Sequence, residues 1–197
     1  MDQRIYEHAK ILVSHSTKVK KGDNVLIQIG DYGRELASEV FKEATLCGAN
    51  PLIVAMPTEA VRGYYELTPE DYLQIFPTHY YELVKASDVI ISIRSDENTK
   101  YLSNINPKKL SVRALVTKKI EDERMKKRWC VTQCPTPAYA QDAEMSLKEY
   151  EDFVYSAILL DWNEETKKMS KLKRVLDAAK RIQIVGKETD ITMSVEG

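Results

Sequence analysis

The sequence is short of several things, and each shortage excludes something. Its 197 residues hold seven glycines, none in the G-x-G-x-x-G spacing of a dinucleotide-binding turn, and no P-loop lysine follows Gly30-Asp31-Tyr32-Gly33. There is no G-x-S-x-G elbow, no H-E-x-x-H run and no other paired metal-ligand run. Three cysteines, Cys47, Cys130 and Cys134, cannot all pair. No apolar stretch approaches the roughly 20 residues of a membrane span, and MDQRIYEHAK lacks a signal peptide's apolar core. A reducing, cytoplasmic setting without a membrane partner is expected. Charge of one sign is also missing: 29 Lys and Arg against 30 Asp and Glu leave a net charge of −1, which gives no basic footprint for nucleic acid or an anionic surface.

What is present is ordinary globular material. Hydrophobic content of 43% with 30% charged residues suits one sizeable α/β domain, or one domain and the opening of another. The organising stretch runs from Gly22 to Met56. Val25, Leu26, Ile27 and Ile29 form a short apolar run. Leu36, Ala37, Val40, Phe41, Ala44 and Cys47 then recur at helical spacing until Gly48, and a second apolar run covers Leu52 to Met56. Strand, helix and immediate return predict a parallel pair by a right-handed crossover, and such a pair needs cover on both faces.

Ahead of it, Ile5, Ala9, Leu12 and Val13 share a helical face. His8 and His15 lie a heptad apart, whereas helical metal pairs use i,i+3 or i,i+4, so a flanking amphipathic helix is expected rather than a ligand pair. After Met56, Thr68-Pro69-Glu70-Asp71 predicts a helix start, Pro77-Thr78 opens a short helix through Ala86, and Val89 to Ile93 make a third buried strand. Tyr64, Tyr65, Tyr72, Phe76, Tyr80 and Tyr81 line a ligand cleft or partner surface, or form a small satellite core; both stay open.

Asn106-Pro107 pairs an N-cap with a first-turn proline, and Arg113 to Thr117 is a candidate fourth strand. The following KKIEDERMKKR mixes Glu121, Asp122 and Glu123 with its bases and is expected to be a solvated helix or loop. Trp129 to Cys134 forms a fifth strand; its two cysteines find no matching set of zinc ligands. Ser146 and Glu149 make a capping box ahead of a helix whose buried face is expected at Tyr150, Phe153, Val154, Ala157 and Leu160, and Met169, Leu172, Leu176 and Ala179 mark a second helix. Two β-like runs around Gly186-Lys187-Glu188 close the chain. Ile191, Met193 and Val195 alternate with Thr192, Ser194 and Glu196, which predicts a half-exposed strand and the start of a second, mixed or antiparallel sheet near Arg181. The fold class expected is therefore α/β: a mainly parallel sheet with helices on both faces, plus that second sheet.

By residues alone no active site is visible. Asp31, Asp88, Asp142, Asp161 and Asp190 are each explicable as caps or surface charges, and the first strand-to-helix loop at Gly30 to Gly33 stands where a doubly wound fold keeps its ligand crevice. An α/β small-molecule or nucleotide-binding module and a protein-interaction domain are the two readings open on that basis.

The order of features resembles the N-terminal half of the M29 family of metallo-aminopeptidases, the aminopeptidase T group. The resemblance is carried by Lys20-Lys21-Gly22-Asp23, by Glu43-Ala44 through Gly48-Ala49-Asn50-Pro51, and by Pro135-Thr136-Pro137-Ala138-Tyr139-Ala140 before Met145-Ser146. It continues through Tyr150-Glu151-Asp152-Phe153, Asp161-Trp162 and Gly186-Lys187-Glu188-Thr189-Asp190-Ile191. It implies an enzyme that releases N-terminal residues from peptides with two divalent ions (cobalt, zinc or magnesium), and a homodimer. In that family the ligands lie beyond the stretch matched here. The resemblance thus implies no catalytic, cofactor-binding or metal-binding residue in this chain, with 1–180 an N-terminal α/β domain and 181–197 the beginning of the catalytic one.

Overall fold

The computed structural model describes residues 2–196; Met1 and Gly197 lie outside the described residues. The chain divides into two compact units, Met1–Leu159 and Leu160–Gly197.

In the first unit, α1 (Gln3–Lys10) starts on Asp2, whose side chain accepts from the Arg4 amide, and runs into a π-helical turn, Ile11–Ser16. Strand β1 (Asn24–Ile29), helix α2 (Arg34–Leu46) and strand β2 (Asn50–Ala55) are the predicted strand-helix-strand unit, and β1 and β2 are parallel. Gly48 ends α2 at φ +77°, a left-handed conformation that costs glycine nothing. Helices α3 (Thr58–Leu67) and α4 (Thr78–Ala86) lead to β3 (Val89–Arg94); α5 (Pro107–Arg124) leads to β4 (Arg128–Gln133). The sheet order is β2-β1-β3-β4, all parallel. Helices α6 (Pro137–Asp142) and α7 (Leu147–Ile158) finish the unit, α7 with the predicted capping box of Ser146 and Glu149 but not the predicted buried face: Tyr155 is its buried residue, while Phe153, Ala157 and Leu160 are exposed.

Strand alternation sorts the core into two layers. Val25, Ile27, Val89, Ile91 and Ile93 face α1 and α2 and pack with Ala9, Leu12, Val13, Leu36, Ala37 and Val40. Leu26 and Ile90 face the other way, toward Val84 of α4 and Ile120 of α5. Helices therefore cover both faces, as a parallel sheet requires.

Two expectations about secondary structure fail. Arg113 to Thr117 is not a strand but the middle of α5, so the parallel sheet has four strands rather than five. The apolar run misleads because Leu115 points to solvent, 75% exposed, while the one buried residue of α5 is Ile120, with Arg113 and Arg124 half-buried on the same side. Arg113 donates to the carbonyls of Leu73 and Ile75, and Arg124 to Ser92 Oγ. A helix face built on arginine stems carries little apolar periodicity. Thr68 also does not open a helix. It ends α3 in extended conformation, as a residue before proline prefers, and only a 3-10 turn, Tyr72–Gln74, follows. Lys109 Nζ caps the end of α3 from outside, donating to Tyr65 O at 2.7 Å and Thr68 O at 2.8 Å.

The second unit consists of α8 (Trp162–Asp177), N-capped by Asp161, and an antiparallel hairpin of β5 (Arg181–Gly186) and β6 (Thr189–Ser194). The predicted second sheet is present. Its predicted half-burial is not: Ile191 and Met193 are exposed along with Thr192 and Ser194.

Candidate functional site

The chain leaves β1 for β2 on one side and returns to β3 on the other, so the crevice of this fold opens between the C-terminal ends of β1 and β3. Asp31, just past β1, organises it. Its carboxylate accepts from the Thr58 amide at 2.9 Å, the Thr58 hydroxyl at 2.8 Å and the Glu97 amide at 2.8 Å. One side chain thus ties together the loops that follow β1, β2 and β3. Burial pushes the Asp31 carboxyl up, but these donors outweigh it and hold it below the ordinary carboxylate range.

The loop's own amides face inward. Gly30 N donates to Ser95 Oγ at 3.0 Å, and the Asp31 and Tyr32 amides both donate to Ser95 O, at 3.1 and 3.0 Å. A Cβ on Gly33 would stand 2.9 Å from Ser95 Oγ, so this closure needs glycine there. With three amides committed to Ser95 and a carboxylate at the mouth, the loop offers no phosphate cradle, and nothing favours nucleotide binding.

Above this closure lies a cavity of about 590 Å³ bounded by Thr58, Arg62, Glu97, Lys100, Tyr101 and Asp142. Arg62 is held to Glu66 and to Tyr101 O, and Lys100 pairs with Asp142 at 2.7 Å. Next along the chain from the lining residues Ala138 and Glu97, Tyr139 donates to Asp96 Oδ2 at 2.6 Å, and burial followed by that bond raises the phenol well above its usual range. The residues 58–62 and 97–101 carried no motif in the sequence. The available signal was positional: irregular, polar chain directly after the third buried strand.

The remaining acids are structural. Asp88 accepts from the Asn24 amide at 2.8 Å, Asp161 caps α8, and Asp190 accepts from Gln183 across the hairpin. His8 is 1% exposed in the core, its Nε2 sharing a 2.8 Å hydrogen bond with Thr132 Oγ1 while Nδ1 has no hydrogen-bond partner among the described residues. Burial holds the ring's pKa down at about 4. The cysteines are free thiols, with burial raising Cys130 and taking Cys134 to about 11, which keeps both protonated and inert. The aromatic group divides: Phe76, Tyr80 and Tyr81 pack on the second core layer, whereas Tyr64 and Tyr65, edge to face at 5.5 Å, border a smaller cavity of about 340 Å³ with Val61 and Met56.

The model of one protein family, the thermophilic metalloproteases (M29), matches residues 1–197. The chain belongs to the M29 family. The solved structure of wild-type AmpT from Thermus thermophilus is similar to this M29 chain with a TM-score of 0.78 at 15% identity, covering 98% of this chain and 53% of AmpT. The likeness is one of fold, and the chain spans about half of AmpT's length. A crystal structure of CurK enoyl reductase, 14% identical over 85% of this chain and 49% of its own, reaches a TM-score of only 0.27. No curated protein sequence matches. A metalloprotease needs several His, Cys, Asp or Glu side chains converging on an ion; among the described residues no three of them are so placed. The described residues do not fit a metal centre.

Proposed function

We propose that this M29 chain is the N-terminal, non-catalytic domain of a metal-dependent aminopeptidase that removes N-terminal residues from peptides. In this reading the dinuclear centre, with cobalt, zinc or magnesium, is built by polypeptide beyond these residues, 181–197 opens that catalytic domain, and the chain alone is inactive. The whole enzyme is a cytoplasmic homodimer acting on peptides, with no nucleic-acid or membrane partner. The domain's role is to wall the substrate cleft and limit which peptides enter, with Asp31 holding three loops in one arrangement at the sheet's C-terminal rim.

The observation that carries this reading is the M29 match along the chain alongside an AmpT fold of which the chain covers 53%. The exposed apolar side chains of the second unit, Met169, Leu172, Leu176, Ile191 and Met193, support it further, since such a surface calls for more polypeptide to cover it. The test is an aminopeptidase assay on aminoacyl p-nitroanilides, run in parallel on this 197-residue chain and on a gene product extended to AmpT's length, each with added cobalt, zinc or magnesium. Release of the chromophore by the longer protein alone is expected. Turnover or tight metal uptake by the shorter one would defeat the proposal.

A further inference from the structure

Strand β2 is an edge of the parallel sheet, and its hydrogen-bonding direction can be read from its two ends. The Asn50 amide donates to Asp23 O at 2.7 Å and the Met56 amide to Ile29 O at 2.9 Å. Alternation along a strand therefore turns residues 50, 52, 54 and 56 toward β1. It aims the amides of Ile53 and Ala55, and the carbonyls of Pro51, Ile53 and Ala55, away from the sheet. Among the described residues these outward groups have no hydrogen-bond partner.

Two features make this edge unusual. Edges are commonly blunted by charge, yet Asn50-Pro51-Leu52-Ile53-Val54-Ala55 has no charged residue. The side chains beside it are also apolar and open: Leu52 is 49% and Met56 53% exposed. Both point to the same face, and the strand's C-terminal end meets the 340 Å³ cavity of Met56, Val61, Tyr64 and Tyr65.

We propose that this edge is a docking site for an extended peptide segment, which adds to β2 as a fifth strand and seats one apolar side chain in that cavity. Only another extended backbone supplies donors and acceptors at the spacing of the outward ladder, and alternate side chains of an added strand fall on the face where the cavity lies. A second copy of β2 fits less well, because proline has no amide to offer. In a two-fold antiparallel register centred on Ile53, Pro51 opposes Ala55 and leaves its carbonyl without a donor. Centred on Val54, Pro51 opposes Pro57 and the Pro51 carbonyl is left over. A peptide with all its amides satisfies every outward group. The site is separate from the crevice at Asp31 and does not depend on peptide hydrolysis, so it stands or falls apart from the peptidase proposal.

The test is amide hydrogen exchange by NMR on the intact chain, with a capped heptapeptide alternating threonine with valine and leucine as probe. Protection of the Ile53 and Ala55 amides by this peptide is expected. A control peptide N-methylated on alternate residues, which cannot complete the ladder, is expected to give none. Ala55→Pro removes one outward amide and is expected to weaken binding roughly threefold to tenfold, with the melting temperature checking that the fold survives. Tyr64→Ala is expected to weaken the leucine-bearing probe more than one carrying alanine there. Equal protection by the N-methylated peptide, protection at β4 instead, or protection that rises with protein concentration without peptide would each overturn the proposal. The last outcome would assign the edge to a second copy.

Discussion

Residues Met1–Leu159 and Leu160–Gly197 both form well-defined helices and strands, yet they are specified by different means. The first unit has side chains at or near zero exposure in two layers about its sheet, among them Leu26, Ile27, Val40, Ile90 and Ile91. In the second no described residue is buried. Its α8 rests on local devices: the Asp161 cap, the Lys167–Glu164 and Lys168–Glu165 ion pairs at 2.7 and 2.6 Å, and a Lys173–Asp177 pair. Its hairpin turns at Glu188, φ +57°. Caps and i,i+3 or i,i+4 pairs each contribute only tenths of a kcal/mol to about 1 kcal/mol, whereas a buried leucine contributes roughly 1.5–3 kcal/mol. Local chemistry sets the shape of an element, and burial sets how firmly the element is held.

The sharpest way to break that contrast is to cut matching side chains from the two units. Leu26→Ala, at a position with 0% exposure, is expected to cost about 2–5 kcal/mol in urea unfolding, while Leu176→Ala, 46% exposed, costs less than about 1 kcal/mol. Equal costs would mean that the second unit has a core of its own. The next effect comes from His8. Its folded pKa of about 4 lies below the ordinary 6.5, so only the unfolded chain takes up a proton between these values. Stability is full above pH 6.5 and falls as pH drops toward 4, by roughly 3 kcal/mol in all. His8→Gln is expected to flatten the thermal midpoint against pH across that window, and an unchanged slope would assign it to other groups.

Asp31→Asn is expected to cost about 1–3 kcal/mol, since a charged acceptor of three donors is replaced by a neutral amide. Because the Asp31 carboxyl lies below its ordinary range in the fold, its contribution is present above that range and lost as pH falls through the folded value. This loss comes on the acid side of the His8 window. Denaturant unfolding on both sides of about pH 4 separates the two. The smallest effect belongs to the second unit: Asp161→Ala removes a cap that accepts from the Asn163 and Glu164 amides. It is expected to lower the helical circular dichroism of α8 with a cost of about 1 kcal/mol.

Much of the fold was legible in the sequence. The pattern of Val25 to Ile29, Leu36 to Ala44 and Leu52 to Met56 gave the first parallel pair, and the caps at Asn106 and Ser146 marked helix starts that the structure retains. Failures fell where tertiary partners replace local signals. Arg113 and Arg124 serve α5 as inward residues only because carbonyls at Leu73 and Ile75 and the Ser92 hydroxyl await them. Thr68 had the composition of a cap but became a helix end, held by Lys109 from a distant helix. The crevice was foreseeable at Gly30 to Gly33, but not that Ser95 takes its amides or that Asp31 joins three loops, because those partners lie far apart along the chain.

The sequence by itself determined the period of each element, most of its ends, the family to which the order of motifs belongs and the absence of a nucleotide fingerprint, since all of these reside in near neighbours along the chain. Tertiary structure alone decided which acid holds loops together, which histidine is kept neutral and which strands lie at the sheet's edges with unpaired amides. Those properties depend on what lies across the sheet from each residue, where burial and hydrogen bonding are set by side chains far away in sequence.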